Sequence, residues 1–418
     1  MDLKDKTVTI IGAAKSGVAA ANLVRALGGT PRISDHQPRE KIEGMLSALT
    51  DRSSVEIEAG GHTEDFVRKS DLVVASPGVW KDAGPLEWAR AAGIPVMGEI
   101  EFAWRFCRKP VVAVTGSNGK TTTVTLIAKV LEAAGKKPCL CGNVGSPFSA
   151  HVLDRGVDIF VVEISSFQLE LCETFRPRVA LVTNFSQNHL DRHPTMEDYF
   201  EAKKRLFMNQ TEEDVAILNA RDEWSQRIPA GIRSRVVWFN KEDENVNPNH
   251  LAVLEVVRAL GIPDAVAQKA FAEFRGVEHR LERVRTVDGV EYINDSKSTT
   301  AESGRWALER MERPVVLIVG GSEKNIDYAP LKDLVAKKAR AVVAFGLIRE
   351  RFRKAFEGAV PLEVVDGDLN EAVTRARTLA RAGDCVLLCP MTASYDMFDN
   401  FEHRGRTFKQ IVTEMAHA

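Results

Sequence analysis

No apolar run in the 418-residue chain approaches the roughly 18 residues needed to span a bilayer. The first residues, Met1-Asp2-Leu3-Lys4-Asp5-Lys6, lack the apolar core of a secretory signal. Membrane insertion and export are therefore not expected, and a cytoplasmic location is. Charge of one sign is also missing. The formal net charge is -2, so nothing pulls the whole chain toward nucleic acid or a membrane surface, and any nucleotide must be held by a local site. The six cysteines, at positions 107, 139, 141, 172, 385 and 389, include no Cys-x-x-Cys pair. That pattern argues for reduced, mostly buried thiols and against a zinc site. Low-complexity tracts and short-period repeats are absent, and 44% hydrophobic with 27% charged residues is the balance of a globular rather than a disordered chain.

What is present alternates. Thr7-Val8-Thr9-Ile10-Ile11 reads as a buried parallel strand, residues 17–27 as a helix ended by Gly28-Gly29, and a second strand leads to Asp35. Asp71-Leu72-Val73-Val74-Ala75 is a further strand, closed by Ser76-Pro77-Gly78. A second block opens at Val111-Val112-Ala113-Val114, with strands at 159–162, 179–182 and 236–239. A third opens near Val277, with strands around Tyr292 and at 315–319, 341–345 and 386–388. Strands separated by helices predict parallel, doubly wound sheets. The expected fold is α/β in three domains: residues 1–105 Rossmann-like, 106–276 a central parallel sheet of the phosphate-loop ATPase kind, and 277–418 again Rossmann-like. The polar stretch 240–249 reads as a surface loop.

Thr115-Gly116-Ser117-Asn118-Gly119-Lys120-Thr121-Thr122 follows an apolar strand and precedes a helical stretch. Glycines let backbone N–H groups approach phosphates, Lys120 reaches the terminal ones, and the Thr121 hydroxyl can hold Mg²⁺. The strict phosphate-loop pattern calls for glycine at 114, where this chain has Val114, so the loop is a shorter variant than that of ordinary kinases. Further on, Phe160-Val161-Val162-Glu163 ends a strand in an acid, the usual station for Mg²⁺ beside such a loop. A carboxylate here could instead cap the next helix.

The loop resembles that of the Mur ligases and of their relative, folylpolyglutamate synthase. Roughly a hundred residues precede it, room for a whole domain, which favours the Mur branch. Other segments are similar to the same family: Asn188-His189-Leu190-Asp191-Arg192-His193, with Asn188 where the family has an acid; Ala202-Lys203; and Gly276-Val277-Glu278-His279-Arg280-Leu281-Glu282. Asn294-Asp295-Ser296-Lys297-Ser298-Thr299 is the version seen in the branch that adds D-glutamate.

The resemblance implies an ATP-dependent amide-bond-forming ligase of peptidoglycan precursor synthesis, joining D-glutamate to a UDP-linked muramoyl-alanine through an acyl phosphate. It also implies no nucleic acid partner and a monomer. It places ATP on residues 116–122 (Gly116, Ser117, Asn118, Gly119, Lys120, Thr121, Thr122) with His279, Arg280, Asp295 and Lys297. Mg²⁺, one ion or two, would be held by Thr121, Glu163, His189 and a carbamylated Lys203; Lys120, Lys203, His189 and Arg280 would be catalytic. Ser16, Gly17, Asp35, Gly78, Asn143, Ser165 and Gln168 would face the UDP-linked precursor. Thr299, Lys324, Ser394, Tyr395 and Phe401 would hold D-glutamate. An alternative for residues 279–282 is an ion-pair network at a hinge. The family's asparagines after the central strands, which contact adenine in relatives, read as lost or shifted near Asn249. A sister ligase using another amino acid and a non-catalytic nucleotide binder remain as alternative readings. A nicotinamide-dependent oxidoreductase would account for the first domain alone.

Overall fold

In the computed structural model, which describes residues 1–186, 192–241, 246–274, 276–323 and 326–416, three sheets follow one another along the chain. The first contains β1 (Thr7–Ile11), β2 (Thr30–Asp35), β3 (Glu56–Ala59), β4 (Leu72–Ala75) and β5 (Val96–Gly98), in the order β3-β2-β1-β4-β5, all parallel. The second contains β6 (Val111–Thr115), β7 (Pro138–Gly142), β8 (Ile159–Glu163), β9 (Val179–Val182), β10 (Val215–Asn219) and β11 (Arg235–Phe239). Its order is β11-β10-β9-β6-β8-β7, again all parallel. The third contains β12 (Glu282–Val287), β13 (Val290–Asn294), β14 (Val315–Gly320), β15 (Ala339–Phe345), β16 (Leu362–Val364) and β17 (Cys385–Leu388), ordered β12-β13-β17-β14-β15-β16. In both of the first two sheets the order reverses beside the strand that opens the block, β1 and β6. Ligand-carrying loops of parallel sheets gather at the carboxyl ends of strands beside such a reversal.

The alternation of side chains along β6 shows why its run is apolar throughout. Val112 and Val114 pack with Leu126, Ile127 and Val130 of helix Lys120–Ala133 on one face. Val111 and Ala113 pack with Phe148, Phe160 and Phe200 on the other. A strand covered on both sides needs apolar residues at every position, and each buried valine contributes roughly 1.5–3 kcal/mol. That second cluster also contains Val8, Ile10 and Ile33 of the first sheet. One continuous apolar core therefore joins the first two sheets in a compact unit, Met1–Phe274; the third sheet forms the unit Arg275–Ala418.

Several elements differ from the sequence reading. The strand pattern does not predict β3, β5, β7, β10, β12 or β16. β12 runs antiparallel to β13, whereas strand–helix alternation predicts parallel neighbours. The cause is the Asp288-Gly289 turn, with both residues at positive φ (51° and 78°): a two-residue hairpin with the local twist of paired strands. Finally, the stretch 240–249 is not all surface loop. Asn247 caps a helix, Pro248–Ala259, that packs beneath the second sheet. No helix among the described residues is long and apolar enough to cross a membrane.

Candidate active site

The loop after β6 carries the phosphate-binding sequence. Val114 pairs with Glu163 of β8 and Leu181 of β9, so the strand runs on to Thr115 and the loop that follows is short. Gly116 has φ +138°, and a Cβ there would lie 2.0 Å from Thr183 Oγ1; only glycine fits. The loop is braced from the segment after β9. Asn184 accepts from Ser117 N–H through its carbonyl (2.9 Å) and from Asn118 N–H through Oδ1 (3.0 Å). Thr183 Oγ1 donates to the Asn118 carbonyl at 2.6 Å. Ser186 N–H donates to Ser117 Oγ at 2.9 Å. Lys120 arcs back over the loop, its Nζ 2.9 Å from the carbonyls of Gly116 and Ser117. The loop is thus a preformed cradle, with its lysine parked on carbonyls that a phosphate can replace as partner.

Glu163, buried at the end of β8, accepts from Thr121 Oγ1 (2.7 Å) on one carboxylate oxygen and from Asn143 Nδ2 (2.8 Å) on the other. The next short helix, Ser166–Leu169, is capped by a reciprocal pair between Ser165 and Gln168, so the helix-cap role is taken and Glu163 faces the phosphate loop instead. Both its hydrogen-bond donors are neutral. No described cation lies within ion-pair distance, and a buried carboxylate without one is costly. A carboxylate and a hydroxyl meeting beside a phosphate loop suit a hard divalent cation. Residues 187–191, with His189, lie outside the described residues.

The two adjacent lysines of helix Met196–Lys204 diverge. Lys204 points to Glu201 at the surface, 3.4 Å away. Lys203 is 1% exposed, with its Nζ 3.2 Å from Thr115 Oγ1 and 4.6 Å from the centre of the Tyr199 ring. Tyr199, one turn earlier on the same face, shares a hydrogen bond with Ser117 Oγ at 3.1 Å. Burial, then the positive charge of Lys120, push the Lys203 pKa well below that of a free lysine; Glu163 acts in the opposite direction. No sequence signal separated Lys203 from Lys204 except the family register.

Asn249 modifies the reading of lost asparagines. Its Oδ1 lies 3.4 Å from Thr123 Oγ1 and would lie 2.5 Å from a Cβ on Gly119. An asparagine amide does stand at the phosphate loop.

On the first sheet, Ser16 and Gly17 lie in the first turn of helix Lys15–Ala26. A Cβ on Gly17 would be 1.8 Å from the Gly12 carbonyl, so the close turn requires glycine. Asp35 holds that turn: its carboxylate accepts from Ala13 N–H at 2.6 Å and from Gln37 N–H at 2.8 Å. Gly78 is exposed, and Gln168 lines a small cavity with Ser76 and Pro77. Asn143 sits with Glu163, as given above.

In the second unit, three distant segments meet on Arg404, a residue to which the sequence analysis gives no role. It is completely buried. Its Nε donates to Ser296 Oγ (3.0 Å), and its terminal nitrogens to the carbonyls of Ser296 (2.9 Å), Thr392 (3.2 Å) and Ala393 (3.3 Å). Burial lowers its pKa to about 10. Ser296 Oγ in turn donates to the Phe401 carbonyl at 2.8 Å. Arg404 thereby ties the segment of Thr299 to those of Ser394 and Phe401. Ser394 is buried, Thr299 and Phe401 are half-buried, and Tyr395 is 75% exposed. Lys324 lies outside the described residues. Lys297 Nζ is 5.4 Å from the Phe401 ring.

His279 is buried, with φ +63°. Its Nδ1 accepts from Asn294 Nδ2 at 2.9 Å, and it abuts Gly405, where a Cβ would clash at 2.3 Å. Burial lowers its pKa, so the ring is the neutral acceptor that this bond requires. Glu278, His279 and Glu282 bring donor atoms within 4.8 Å of one another, yet Lys409 Nζ already neutralises both acids, at 2.9 and 2.6 Å. An ion-pair network within the second unit therefore surrounds His279. Arg280 lies over Trp306, 4.8 Å from its ring centre.

Asp295 is buried, accepting from Leu281 N–H at 3.0 Å and from the Ser298 hydroxyl. Burial raises its pKa from 3.8 to about 6. The folded state binds the proton more tightly, so stability falls as pH rises from about 4 through 6, by on the order of 3 kcal/mol. Asp295→Asn is accordingly expected to raise the melting temperature at pH 7.5 and to raise it less at pH 5. Thermal unfolding of both proteins at the two pH values checks this, and an equal shift at both refutes it.

The profile of the Mur ligase middle domain matches residues 114–259, that of the Mur ligase glutamate ligase domain residues 279–392, and that of the Mur ligase MurD-like N-terminal domain residues 6–98. A UDP-N-acetylmuramoylalanine–D-glutamate ligase of Koribacter versatilis is 39% identical, covering 100% of this chain and 99% of the relative. One from Pelotomaculum thermopropionicum is 40% identical over 99% of each. The chain belongs to the Mur ligase family. Solved Mur ligases share its fold. UDP-N-acetylmuramate-alanine ligase of Thermotoga maritima superposes with a TM-score of 0.63 at 19% identity, covering 98% of this chain and 99% of that one. MurF of Acinetobacter baumannii does so with 0.63 at 13% identity, over 98% and 93%.

Proposed function

We propose that this Mur ligase joins D-glutamate to UDP-N-acetylmuramoyl-L-alanine at the expense of ATP, in peptidoglycan precursor synthesis. The reading rests on likeness over the whole chain to ligases of that name, and the phosphate-loop geometry supports it. Residues 1–105 hold the UDP-linked precursor, 106–276 hold ATP, and 277–418 hold the amino acid.

A free carboxylate is a poor acylating agent. The precursor's alanine carboxylate attacks the γ-phosphorus of ATP, the bond to the bridging oxygen breaks, and ADP and an acyl phosphate result. The D-glutamate amine adds to the acyl carbon and loses a proton, and the tetrahedral adduct expels phosphate to leave the amide. The protein's part is positioning and neutralisation of charge. The loop N–H groups and Lys120 seat the phosphates, and Arg280 offers a second cation. Thr121 and Glu163 would hold Mg²⁺ with His189; when bound, the ion offsets phosphate charge. Lys203 is set up to become a carbamate: its neutral amine adds to the carbon of CO₂, one N–H proton leaves, and the new anion faces the same site. Thr299, Ser394, Tyr395 and Phe401, with Lys324 as the cationic partner of a carboxylate, hold D-glutamate.

Phosphate release with UDP-N-acetylmuramoyl-L-alanine and ATP, offering D-glutamate, L-alanine, L-lysine or meso-diaminopimelate in turn, tests the assignment. Rapid release with D-glutamate alone is expected. Preference for another nucleophile points to a sister ligase, and no release with any of them points to a non-catalytic nucleotide binder. Asn249 at the phosphate loop weakens this last reading, which drew on the loss of asparagines.

A further inference from the structure

Arg192 belongs to the segment that carries His189, yet the chemistry above gives it no part. Its side chain is only 6% exposed, and that of its partner Glu170 only 7%. Nε and Nη2 reach one Glu170 oxygen at 3.1 and 2.8 Å. The remaining reach of the guanidinium crosses to the first sheet: Nη1 donates to the Pro77 carbonyl at 3.2 Å and Nη2 to the Val79 carbonyl at 2.9 Å. Its Cζ lies 4.4 Å from the centre of the Phe167 ring and 5.3 Å from that of Trp80. Pro77 and Val79 flank Gly78, which is exposed. Among the described residues no protein acceptor takes the Gly78 N–H, and a Cβ there would meet nothing within 4 Å. The fold's packing makes no demand for glycine at this position, while the carbonyls on either side are pinned.

We infer that Arg192 is a positioning residue for the UDP-linked precursor, clamping the 76–80 loop of the first sheet to residues 167–170 of the second. The inference rests on the proposed function, since it takes Gly78 and Gln168 to face that precursor. The reason for an arginine is geometric. One planar group must satisfy a carboxylate and two carbonyls on different elements while stacking on aromatic rings; a lysine ammonium offers neither the fork nor the plane. The clamp holds two parts of the precursor site in register before the ligand arrives, and its loss should weaken precursor binding rather than phosphate handling.

The test compares wild type, Arg192→Met, Arg192→Lys and Glu170→Gln by calorimetric titration with UDP-N-acetylmuramoyl-L-alanine and by steady-state kinetics. Arg192→Met is expected to weaken precursor binding about tenfold or more, raise its KM in step, and leave the KM of ATP and D-glutamate within about twofold. Arg192→Lys, which keeps the charge, should fall between, and provides the same comparison should the methionine variant not fold. A folded Arg192→Met or Arg192→Lys with wild-type precursor affinity overturns the inference, as does an equal rise in the KM of all three substrates, the mark of a merely structural role. Wild type that binds no precursor overturns the proposed function, and this inference with it.

Discussion

Lys120→Ala is expected to abolish ligation, with phosphate release down by about a thousandfold or more, while the fold survives. The Lys120 ammonium donates to the carbonyls of Gly116 and Ser117, and the brace from residues 183–186 holds the loop without it. A preorganised cation facing developing phosphate charge contributes several kcal/mol to the transition state, and the neighbouring Lys203 is driven toward its neutral form. Phosphate release and circular dichroism on the purified variant decide the matter. A folded Lys120→Ala with near wild-type turnover removes the phosphate-loop assignment.

Lys203→Ala should be nearly inactive, and here the failure should be reversible. If the working form of Lys203 is an anionic carbamate, a short carboxylate such as acetate fills the space left by the side chain and restores part of the rate. Depleting CO₂ should slow the wild type and leave the variant unchanged. The same burial has a thermodynamic signature. The folded pKa lies below the unfolded one, so the unfolded chain binds more protons, and stability rises with pH across the interval between them. A Lys203→Met variant should therefore exceed wild type in stability most at the low end of that interval, and the gap should close as pH approaches the ordinary lysine pKa of about 10.4. An active Lys203→Ala, or one indifferent to acetate, argues against the carbamate. A stability gap that does not change with pH argues against the buried neutral amine.

Legibility varied with the range of the interaction. The phosphate-loop sequence could be read from eight consecutive residues because glycine spacing reports backbone conformation directly. Its brace could not be read: Asn184 and Ser186 are 66 and 68 positions from Asn118, and ordinary polar residues carry no mark of what they hold. Arg404 was missed for a related reason. A charged residue in a helix is expected at the surface, and only the meeting of the segments around residues 296, 320 and 392 makes a dry, carbonyl-lined socket for one. The Asp288-Gly289 turn, by contrast, was a local signal that went unread.

From its own local patterns the sequence determined three α/β blocks, a loop of phosphate-binding sequence and the place of an acid beside it, because strand and helix periodicity and turn chemistry act within a few residues. Tertiary structure alone decided which of two neighbouring lysines is buried, that Glu163 faces a hydroxyl and an amide rather than capping a helix, that Asn249 stands at the loop, and that Arg192 ties two sheets together. Those outcomes depend on desolvation and on partners brought from distant positions, and a side chain's charge state and role follow from what surrounds it once the chain has closed.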